Sequence, residues 1–308
     1  MGSGVEAFRA EVAGASAHVT VGTPLARLTT LRVGGPAAAV VTVDDEAALQ
    51  RTVVAAHTHG LPLLVVGRGS NLLVGDDGWP GVVLRLGEGF RGLRLDGTTV
   101  RAGAAEPMPS VAVTTARAGL GGFAWGAAVP GSMGGGVRMN AGAHGADMAD
   151  TLVTATVLDV RTGELTDWGP DRLALGYRTS ALDAAHVVTA VTLTLTPADA
   201  GEVLAEIDRI RTWRRTHQPL ERPSCGSVFT NPPGTSAGAL IEEAGLKGQR
   251  IGGAEVSTRH ANFIVTDTDA RAADVAALID HVVRTVAERT GTVLRPEVVR
   301  PDVADPTR

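Results

Sequence analysis

The segment from Val129 to Gly145 limits the possible folds of this chain more than any other stretch, because it holds six glycines in seventeen residues. A backbone with so few side chains makes a poor core element, yet it can approach a ligand closely and adopt turns that other residues avoid. Val129, Val137 and Met139 give the segment apolar side chains to bury, which argues against a free loop. The pattern predicts a backbone that wraps closely around a flat, charged ligand.

Residues 37–67 have the strand–helix–strand pattern of a βαβ unit. Ala38–Val43 and Leu61–Val66 are predicted strands, and Asp44 and Asp45 are placed to cap a helix between them. Short apolar runs broken by glycine follow, and their spacing predicts small antiparallel strands. These runs are Leu72–Val74, Gly81–Leu86, Leu93–Leu95 and Thr99–Ala102.

Residues 67–71 (Gly-Arg-Gly-Ser-Asn) close this βαβ unit directly after a strand. Backbone N–H groups in such a loop can turn toward an anion, and Ser70 and Asn71 add side-chain donors, so the loop could hold a pyrophosphate. The third glycine of the dinucleotide fingerprint is missing and no helix clearly follows. Taken alone, a tight turn between strands is an equally good interpretation.

The remaining pattern predicts a larger glycine-rich part and a smaller α+β part, with a boundary near residues 197–217. Predicted helices cover Val111–Ala118, Glu202–Arg215, Gly238–Ala244 and Ala272–Arg289. Predicted strands cover residues 152–160, residues 187–196, Ala261–Val265 and Thr292–Leu294.

Composition excludes several classes of protein. The chain has 308 residues, 44% hydrophobic and 20% charged, which suits a globular protein of two or three domains rather than a disordered one. A net charge of −5 gives no basic field for nucleic acid or anionic membrane. No run of about 18 apolar residues exists to span a membrane, and residues 1–16 lack a signal-peptide core. Cys225 is the only cysteine, so no intramolecular disulfide can form, and we expect a cytoplasmic protein.

A series of motifs, in this order, is similar to the UDP-N-acetylenolpyruvoylglucosamine reductase family. The FAD-binding part of that family is resembled by residues 30–36 (Thr-Leu-Arg-Val-Gly-Gly-Pro), 67–74, 130–135 (Pro-Gly-Ser-Met-Gly-Gly) and 140–145 (Asn-Ala-Gly-Ala-His-Gly). The rest of the family pattern is resembled by residues 176–178 (Gly-Tyr-Arg), 223–229, 240–248, 260–263 (His-Ala-Asn-Phe) and 296–297 (Pro-Glu). Together the motifs span residues 28–300.

This resemblance implies an α+β fold of the vanillyl-alcohol-oxidase/PCMH type. Two FAD-binding subdomains are expected at residues 1–66 and 67–200, with a C-terminal α+β substrate-binding domain at residues 201–308. Only a short connection separates Arg178 from the predicted strand at residue 187. The tyrosine-bearing loop of the longer subtype is therefore absent, and the resemblance is to the shorter, type II subtype.

The resemblance also implies an enzyme of peptidoglycan synthesis, and thus of cell-wall biogenesis, cell shape and cell division. Such an enzyme uses NADPH and non-covalently bound FAD to reduce the enolpyruvyl ether of UDP-N-acetylglucosamine enolpyruvate to UDP-N-acetylmuramate. The expected partner is this sugar nucleotide, with neither nucleic acid nor membrane, and we expect a monomer. NADPH against NADH stays open, as does a paralogue acting on a related unsaturated substrate in specialised metabolism.

Site residues are carried over by position in the matching motifs. The catalytic set is Arg178, Ser227 and Glu297. The cofactor-binding set is Arg32, Gly67, Gly69, Ser70, Asn71, Pro130, Gly131, Ser132, Gly134, Gly135, Asn140, Gly142 and Gly145. The substrate-binding set is Tyr177, Arg178, Gly226, Asn231, Glu242 and Lys247, the only lysine in the chain. No metal site is expected, because the histidines lack ligand spacing.

The catalytic residue types suit this chemistry. Hydride addition to the enolpyruvyl group builds negative charge that spreads into the carboxylate. Arg178 offers a planar fork for that carboxylate, protonated Glu297 can donate a hydrogen bond to it, and Ser227 is the expected proton donor. Each residue alone has an ordinary alternative, as a surface arginine, a strand-end glutamate or a turn serine. Cys225 has no His–Asn partner pattern and is not expected to act as a nucleophile.

Three positions depart from the family pattern. Met133 and Gly136 stand where Val and Ala are expected, and Ala124 stands where an acidic residue is frequent. These departures bear on the contacts to the flavin rather than on flavin binding itself.

Overall fold

The computed structural model describes residues 2–14 and 16–301. The chain forms two compact units. Unit 1 comprises Met1–Val21, Ala38–Gly67 and Pro80–Trp213, and unit 2 comprises Gly22–Ala37, Arg68–Trp79 and Arg214–Arg308.

The elements that lie wholly or mainly in unit 1 follow in chain order. They are α1 (Gly2–Val12), β1 (Ala17–Val21), β2 (Ala37–Val43), α2 (Glu46–Thr58), β3 (Leu63–Val65), β4 (Trp79–Leu86), β5 (Leu93–Asp96), β6 (Thr99–Gly103), α3 (Met108–Arg117), β7 (Leu120–Gly121), α4 (Met133–Arg138), β8 (Gly142–Ala143), β9 (Ala146–Asp147), β10 (Leu152–Asp159), β11 (Leu165–Trp168), α5 (Pro170–Leu173), β12 (His186–Thr194), β13 (Thr196–Pro197) and α6 (Ala200–His217).

The predicted βαβ segment forms part of a four-stranded sheet with the order β1-β2-β4-β3. Asp45 caps α2, since its carboxylate accepts a hydrogen bond from the Ala48 N–H at 2.6 Å. The expected strand at Gly81–Leu86 exists as β4, but it pairs with β3 in parallel, so the predicted antiparallel arrangement is wrong for it. Parallel strands need a crossover of about a dozen residues or more, which residues 66–78 between β3 and β4 supply.

The second sheet of unit 1 is antiparallel and has the order β11-β10-β12-β6-β5. The strand predicted at residues 187–196 is present as β12, and its later part alternates: Val191 and Leu193 are fully buried, whereas Thr192 and Thr194 are not. Val191 and Leu193 pack into the main core of unit 1 with residues of α3 such as Val111. Complete burial of such side chains stabilises the sheet by roughly 1.5–3 kcal/mol each.

A short helix, α4, lies inside the glycine-rich segment, although glycine disfavours helix by roughly 1 kcal/mol per residue. Tertiary contacts offset that preference. The N–H groups of Met133 and Gly134 donate to main-chain oxygens of neighbouring segments at 2.9 Å. A Cβ on Gly136 would lie 2.8 Å from the Met108 sulfur and 2.9 Å from the Met148 methyl group. Glycine instead of alanine at 136 therefore leaves room for these two methionines.

Unit 2 is built on a four-stranded antiparallel sheet with the order β14-β17-β16-β15 and two helices. Its elements are β14 (Ser224–Ser227), α7 (Ala237–Glu243), β15 (Arg250–Ile251), β16 (Ala254–Val256), β17 (Phe263–Thr266) and α8 (Ala272–Thr290). Val275, Leu278, Ile279 and Val282 of α8 enter its core, as their spacing predicts.

Two predicted strands of unit 2 are absent from the described part of the chain. Leu72–Val74 and Thr292–Leu294 contain no strand, and Leu72 forms only an isolated parallel bridge to Val299. Leu73 and Leu294 are buried in the core of unit 2, which accounts for the apolar pattern of the two segments. The apolar pattern therefore indicates burial, but sheet pairing does not follow from it.

We find no helix in residues 2–14 and 16–301 that is long and apolar enough to cross a membrane.

Candidate active site

The loop at residues 68–71 is locked into unit 2 by its glycine. Gly69 has φ +62°, and a Cβ there would lie 1.9 Å from the main-chain oxygen of Leu28. Thr30 donates its N–H to the Gly69 carbonyl at 3.1 Å, so the motif at residues 30–36 holds this loop directly. Arg32 in the same motif is exposed and has φ 55°, a rare conformation outside glycine.

The same loop offers main-chain donors. Within the described residues, the N–H groups of Gly69, Ser70 and Asn71 donate to no protein acceptor. Successive unpaired N–H groups are the ordinary means by which backbone binds phosphate oxygens. This donor set fits the pyrophosphate of FAD, which supports the cofactor interpretation of the loop over a plain turn.

The segment at residues 130–136 lies beside Gly67, the residue before that loop, within unit 1. A Cβ on Gly67 would be 2.6 Å from the Ser132 hydroxyl. Ser132 is buried and caps α4. Gly134 is packed against Ala104 and Val188. A Cβ on Gly135, by contrast, would meet only the Ser132 hydroxyl at 3.5 Å. Because neither packing nor a positive φ requires glycine at 135, its bare surface fits close approach of a flat ligand.

Asn140 braces the loop that follows α4. It is 1% exposed and has φ 38°. Its Nδ2 donates to the Gly176 carbonyl at 2.9 Å and to the Asp147 carboxylate at 3.1 Å, and its Oδ1 accepts from the Ala149 N–H at 3.0 Å. The side chain of this predicted cofactor residue is therefore engaged by protein.

Arg178 lies at the tip of a tight turn that is closed by two hydrogen bonds between Gly176 and Thr179, of 3.0 and 3.1 Å. It has φ 59°. Its guanidinium donates to the main-chain oxygens of Asn140 at 3.3 Å and Gly142 at 2.7 Å, and stacks at 4.9 Å from the ring centre of Tyr177. The structure thus places Arg178, the residue predicted to bind the substrate carboxylate, against the glycine-rich segment predicted to bind flavin.

Ser227 ends β14 in unit 2, opposite Phe263. The register shifts between Ser224 and Ser227, and Gly226 within this bulge has φ +78° with open space around its Cβ position. Bulges re-aim side chains and are frequent beside active sites. Ser227 is half-buried, whereas neighbouring Cys225 is buried and faces the core.

Glu297 is close to Ser227 in unit 2. Its N–H donates to the carbonyl of Val228, the residue after Ser227, at 2.7 Å. Its own carbonyl accepts a hydrogen bond from Asn71 Nδ2 at 3.1 Å. Burial, reinforced by the charge of Glu297, raises the pKa of the Cys225 thiol to about 12. This thiol is neutral at physiological pH, which argues against a nucleophilic role.

The other predicted substrate residues of unit 2 lie around α7. Asn231 accepts the Ala237 N–H at 3.0 Å through its side chain, and Lys247 pairs with Glu242 at 2.7 Å.

Sequence reasoning missed His260, whose Nδ1 is buried with no hydrogen-bond partner in the described residues. Burial lowers its pKa, and the charges of Lys247 and His217 lower it further. Its place in the motif at residues 260–263 was the available signal.

Two models of known protein families match this chain. The sequence model described as "FAD binding domain" matches residues 37–169, and "UDP-N-acetylenolpyruvoylglucosamine reductase, C-terminal domain" matches residues 218–300. UDP-N-acetylenolpyruvoylglucosamine reductase 2 of Symbiobacterium thermophilum is 44% identical over 276 residues, which is 89% of this chain and 89% of that protein. The chain belongs to the UDP-N-acetylenolpyruvoylglucosamine reductase family.

Other members of this reductase family agree. The enzyme of Halalkalibacterium halodurans is 41% identical over 96% of this chain and 97% of its own length. The crystal structure of the reductase from Thermus caldophilus superposes with a TM-score of 0.79 at 38% identity, covering 92% of this chain and 98% of that one. The family resemblance, the fold class and the FAD-dependent oxidoreductase class predicted from the sequence are confirmed.

Proposed function

We propose that this chain reduces the enolpyruvyl ether of UDP-N-acetylglucosamine enolpyruvate to UDP-N-acetylmuramate, with NADPH as hydride donor and non-covalently bound FAD, in peptidoglycan synthesis. The observation that carries the proposal is the attachment of Arg178 to the main chain of Asn140 and Gly142. It joins a cation suited to the substrate carboxylate with the segment suited to the flavin.

When bound, FAD would supply the hydride-transfer chemistry that links the nicotinamide to the substrate carbon. The N–H groups of Gly69, Ser70 and Asn71 would hold its pyrophosphate. The bare surface at Gly135 would let its flat part approach the backbone.

Arg178 would bind the substrate carboxylate and stabilise the charge that hydride addition places there. A guanidinium can form two parallel hydrogen bonds with a carboxylate, and these strengthen as charge accumulates. The two carbonyls that accept from Arg178 hold its plane before substrate arrives. Such pre-orientation favours the transition state, because the arginine need not be ordered during the reaction.

Ser227 would deliver the proton to the substrate carbon from its Oγ, and Glu297, in its protonated form, would donate a hydrogen bond to the developing enediolate. Support comes from their closeness in unit 2, where the Glu297 N–H binds the carbonyl next to Ser227. The bulge at Gly226 gives Ser227 a half-buried position rather than a core one. A half-buried hydroxyl can reach substrate and still exchange its proton through water.

We extend the proposal to organisation and location. Residues 1–66 and 67–200 would form the two FAD-binding subdomains, and residues 201–308 would bind the sugar nucleotide. Tyr177, Gly226, Asn231, Glu242 and Lys247 would contact that substrate. A sugar-nucleotide substrate and the single cysteine, Cys225, suit a cytoplasmic monomer without nucleic-acid or membrane partners.

Anaerobic half-reactions test the proposal. The purified protein should be yellow, release FAD on denaturation and be bleached by NADPH. UDP-N-acetylglucosamine enolpyruvate should then restore the oxidised flavin spectrum, whereas UDP-N-acetylglucosamine, which lacks the double bond, should not. A reduced enzyme that the enolpyruvyl compound leaves bleached would refute the substrate. Flavin remaining on the precipitated chain would refute non-covalent binding.

A further inference from the structure

The side chain of Asn140 has no donor left for a cofactor. An amide carries two N–H donors, and the two bonds from Nδ2, to the Gly176 carbonyl and to Asp147, use both. Its oxygen is taken by the Ala149 N–H. With 1% exposure, the group has little surface through which to meet a ligand. Binding of the flavin by this side chain, as the motif alone suggests, does not account for these contacts.

The contact with Gly176 leads directly to Arg178. The Gly176 carbonyl that Asn140 binds also accepts the Thr179 N–H, which closes the turn that presents Arg178. In return, the guanidinium donates to the Asn140 carbonyl at 3.3 Å. Side chain and main chain of one residue therefore hold the base of the turn and the charged group at its tip.

The backbone conformations point the same way. Asn140 and Arg178 have φ values of 38° and 59°, in the left-handed region that most side chains avoid. Asparagine tolerates this region better than most residues. Such conformations persist where the surrounding structure holds them, and they cluster at functional sites.

We infer that Asn140 is a positioning residue for Arg178, which fixes the guanidinium for the substrate carboxylate instead of binding the flavin through its side chain. The inference rests on the proposed role of Arg178. It predicts that loss of the Asn140 amide harms the step that uses the enolpyruvyl substrate and spares the step that uses NADPH.

Two substitutions test it in the purified holoenzyme. Asn140→Gly tolerates φ 38° and keeps the carbonyl that accepts from Arg178, but deletes the amide. Asn140→Asp keeps the shape and places a carboxylate against Asp147 and the Gly176 carbonyl. Both should keep FAD content and the NADPH bleaching rate within about twofold. Reoxidation by substrate should slow by about 10- to 10²-fold, the usual effect of a misplaced catalytic group.

Asn140→Asp adds a signature that general loosening would not give. A protonated carboxyl can donate one hydrogen bond, so its reoxidation rate, relative to wild type, should recover as pH falls. Thr115→Val is the matched control, because Thr115 is equally buried and its hydroxyl donates to the Val111 and Ala112 carbonyls of its own helix, α3. It should leave both half-reactions at wild-type rates.

A double-mutant cycle with Arg178→Ala decides the outcome. If Asn140 acts through Arg178, Asn140→Gly should cost almost nothing further once Arg178→Ala is present. Full additivity, loss of FAD from either Asn140 variant, or equal slowing of both half-reactions would overturn the inference. A wild-type reoxidation rate in Arg178→Ala alone would instead refute the role of Arg178 in the proposed function.

Discussion

Asn71 and Glu297 are 226 residues apart in sequence, yet the Asn71 amide donates to the Glu297 carbonyl at 3.1 Å. Two main-chain bonds extend the contact: Val299 N–H to the Asn71 carbonyl at 3.0 Å, and Leu73 N–H to the Val299 carbonyl at 2.9 Å. The loop with the pyrophosphate-binding pattern and the segment carrying Glu297 are thus joined by one isolated parallel bridge, between Leu72 and Val299. The position of Glu297 therefore depends on the loop at residues 68–71.

Asn71→Ala should therefore disturb Glu297 more than it disturbs flavin retention. The three loop N–H donors are main-chain groups and survive the substitution, so FAD should stay bound. We expect reoxidation by substrate to slow by about tenfold and the free energy of unfolding to fall by roughly 1 kcal/mol, the usual net contribution of one hydrogen bond. Stopped-flow reoxidation and urea titration measure the two effects.

Gln50→Ala is the control for Asn71→Ala, since it deletes an amide-to-carbonyl bond, to Gly163, on the exposed surface of unit 1. It should leave reoxidation unchanged. Apo-protein from Asn71→Ala, with a normal rate once FAD is added back, would show that the side chain serves the cofactor and not Glu297.

Ser227→Ala should separate the two half-reactions. Bleaching by NADPH needs no substrate proton and should proceed at the wild-type rate. Reoxidation should slow by about 10²- to 10⁴-fold, which is the usual contribution of a positioned acid. Single-turnover absorbance of the flavin reports both steps. If Ser227→Ala and the wild type were reoxidised by substrate at the same rate, Ser227 would have no part in the mechanism.

Cys225→Ala is predicted to be nearly silent in the same measurements, although only one residue lies between it and Ser227. Because burial raises the thiol pKa to about 12, the native protein should also resist iodoacetamide at neutral pH and react after unfolding. Rapid alkylation of the native protein, or a reoxidation defect in Cys225→Ala, would show that the wrong side chain of β14 has been assigned.

His260 should make the folded state sensitive to acid. Its pKa is lowered by burial and by Lys247 and His217, while nearby Glu242 acts in the opposite direction. The unfolded chain thus binds the proton more readily, so this part of the stability is present above the ordinary pKa of 6.5 and is lost as pH falls below it. Urea titrations at several pH values should show a shallower acid loss for His260→Gln than for wild type. Parallel curves would contradict this prediction.

The sequence predicts elements best where local chemistry and burial agree. The Asp45 cap, the strand β12 and the helix α8 are all confirmed, since each depends on residues near one another in the chain. Helix α4 could not be predicted, because its glycines oppose helix and the N–H groups of Met133 and Gly134 depend on distant carbonyls. The strand predicted at Thr292–Leu294 is absent because the segment pairs with no strand of the described residues, and no local pattern specifies such pairing.

For the site, motif order identified residues but not their relations. Arg178 was expected as a carboxylate ligand, but its left-handed φ and its bonds to Asn140 and Gly142 depend on a loop some 40 residues earlier. Asparagine in a glycine-rich motif is read most simply as a ligand contact. Only the buried geometry of Asn140 assigns its amide to protein groups.

Arg178 and Glu297 are predicted to serve one task, stabilisation of the enediolate that forms when hydride arrives. That charge is larger in the transition state than in the substrate, so removing either side chain should lower kcat and not merely raise KM. Arg178 also meets the carboxylate of bound substrate. Arg178→Lys should therefore harm both parameters, because an ammonium cannot reproduce the two-bond fork.

Glu297 allows a sharper distinction between two ways of acting. Glu297→Gln keeps a hydrogen-bond donor but loses the ionisable proton, whereas Glu297→Ala loses both. If donation to the enediolate is the role, Glu297→Gln should reoxidise the reduced flavin faster than Glu297→Ala, and if proton transfer is the role, the two should be equally slow. The bond from the Glu297 N–H to Val228 is a main-chain contact and remains in both variants. Wild-type reoxidation in Arg178→Ala and Glu297→Ala alike would leave only the fold in common with a working reductase.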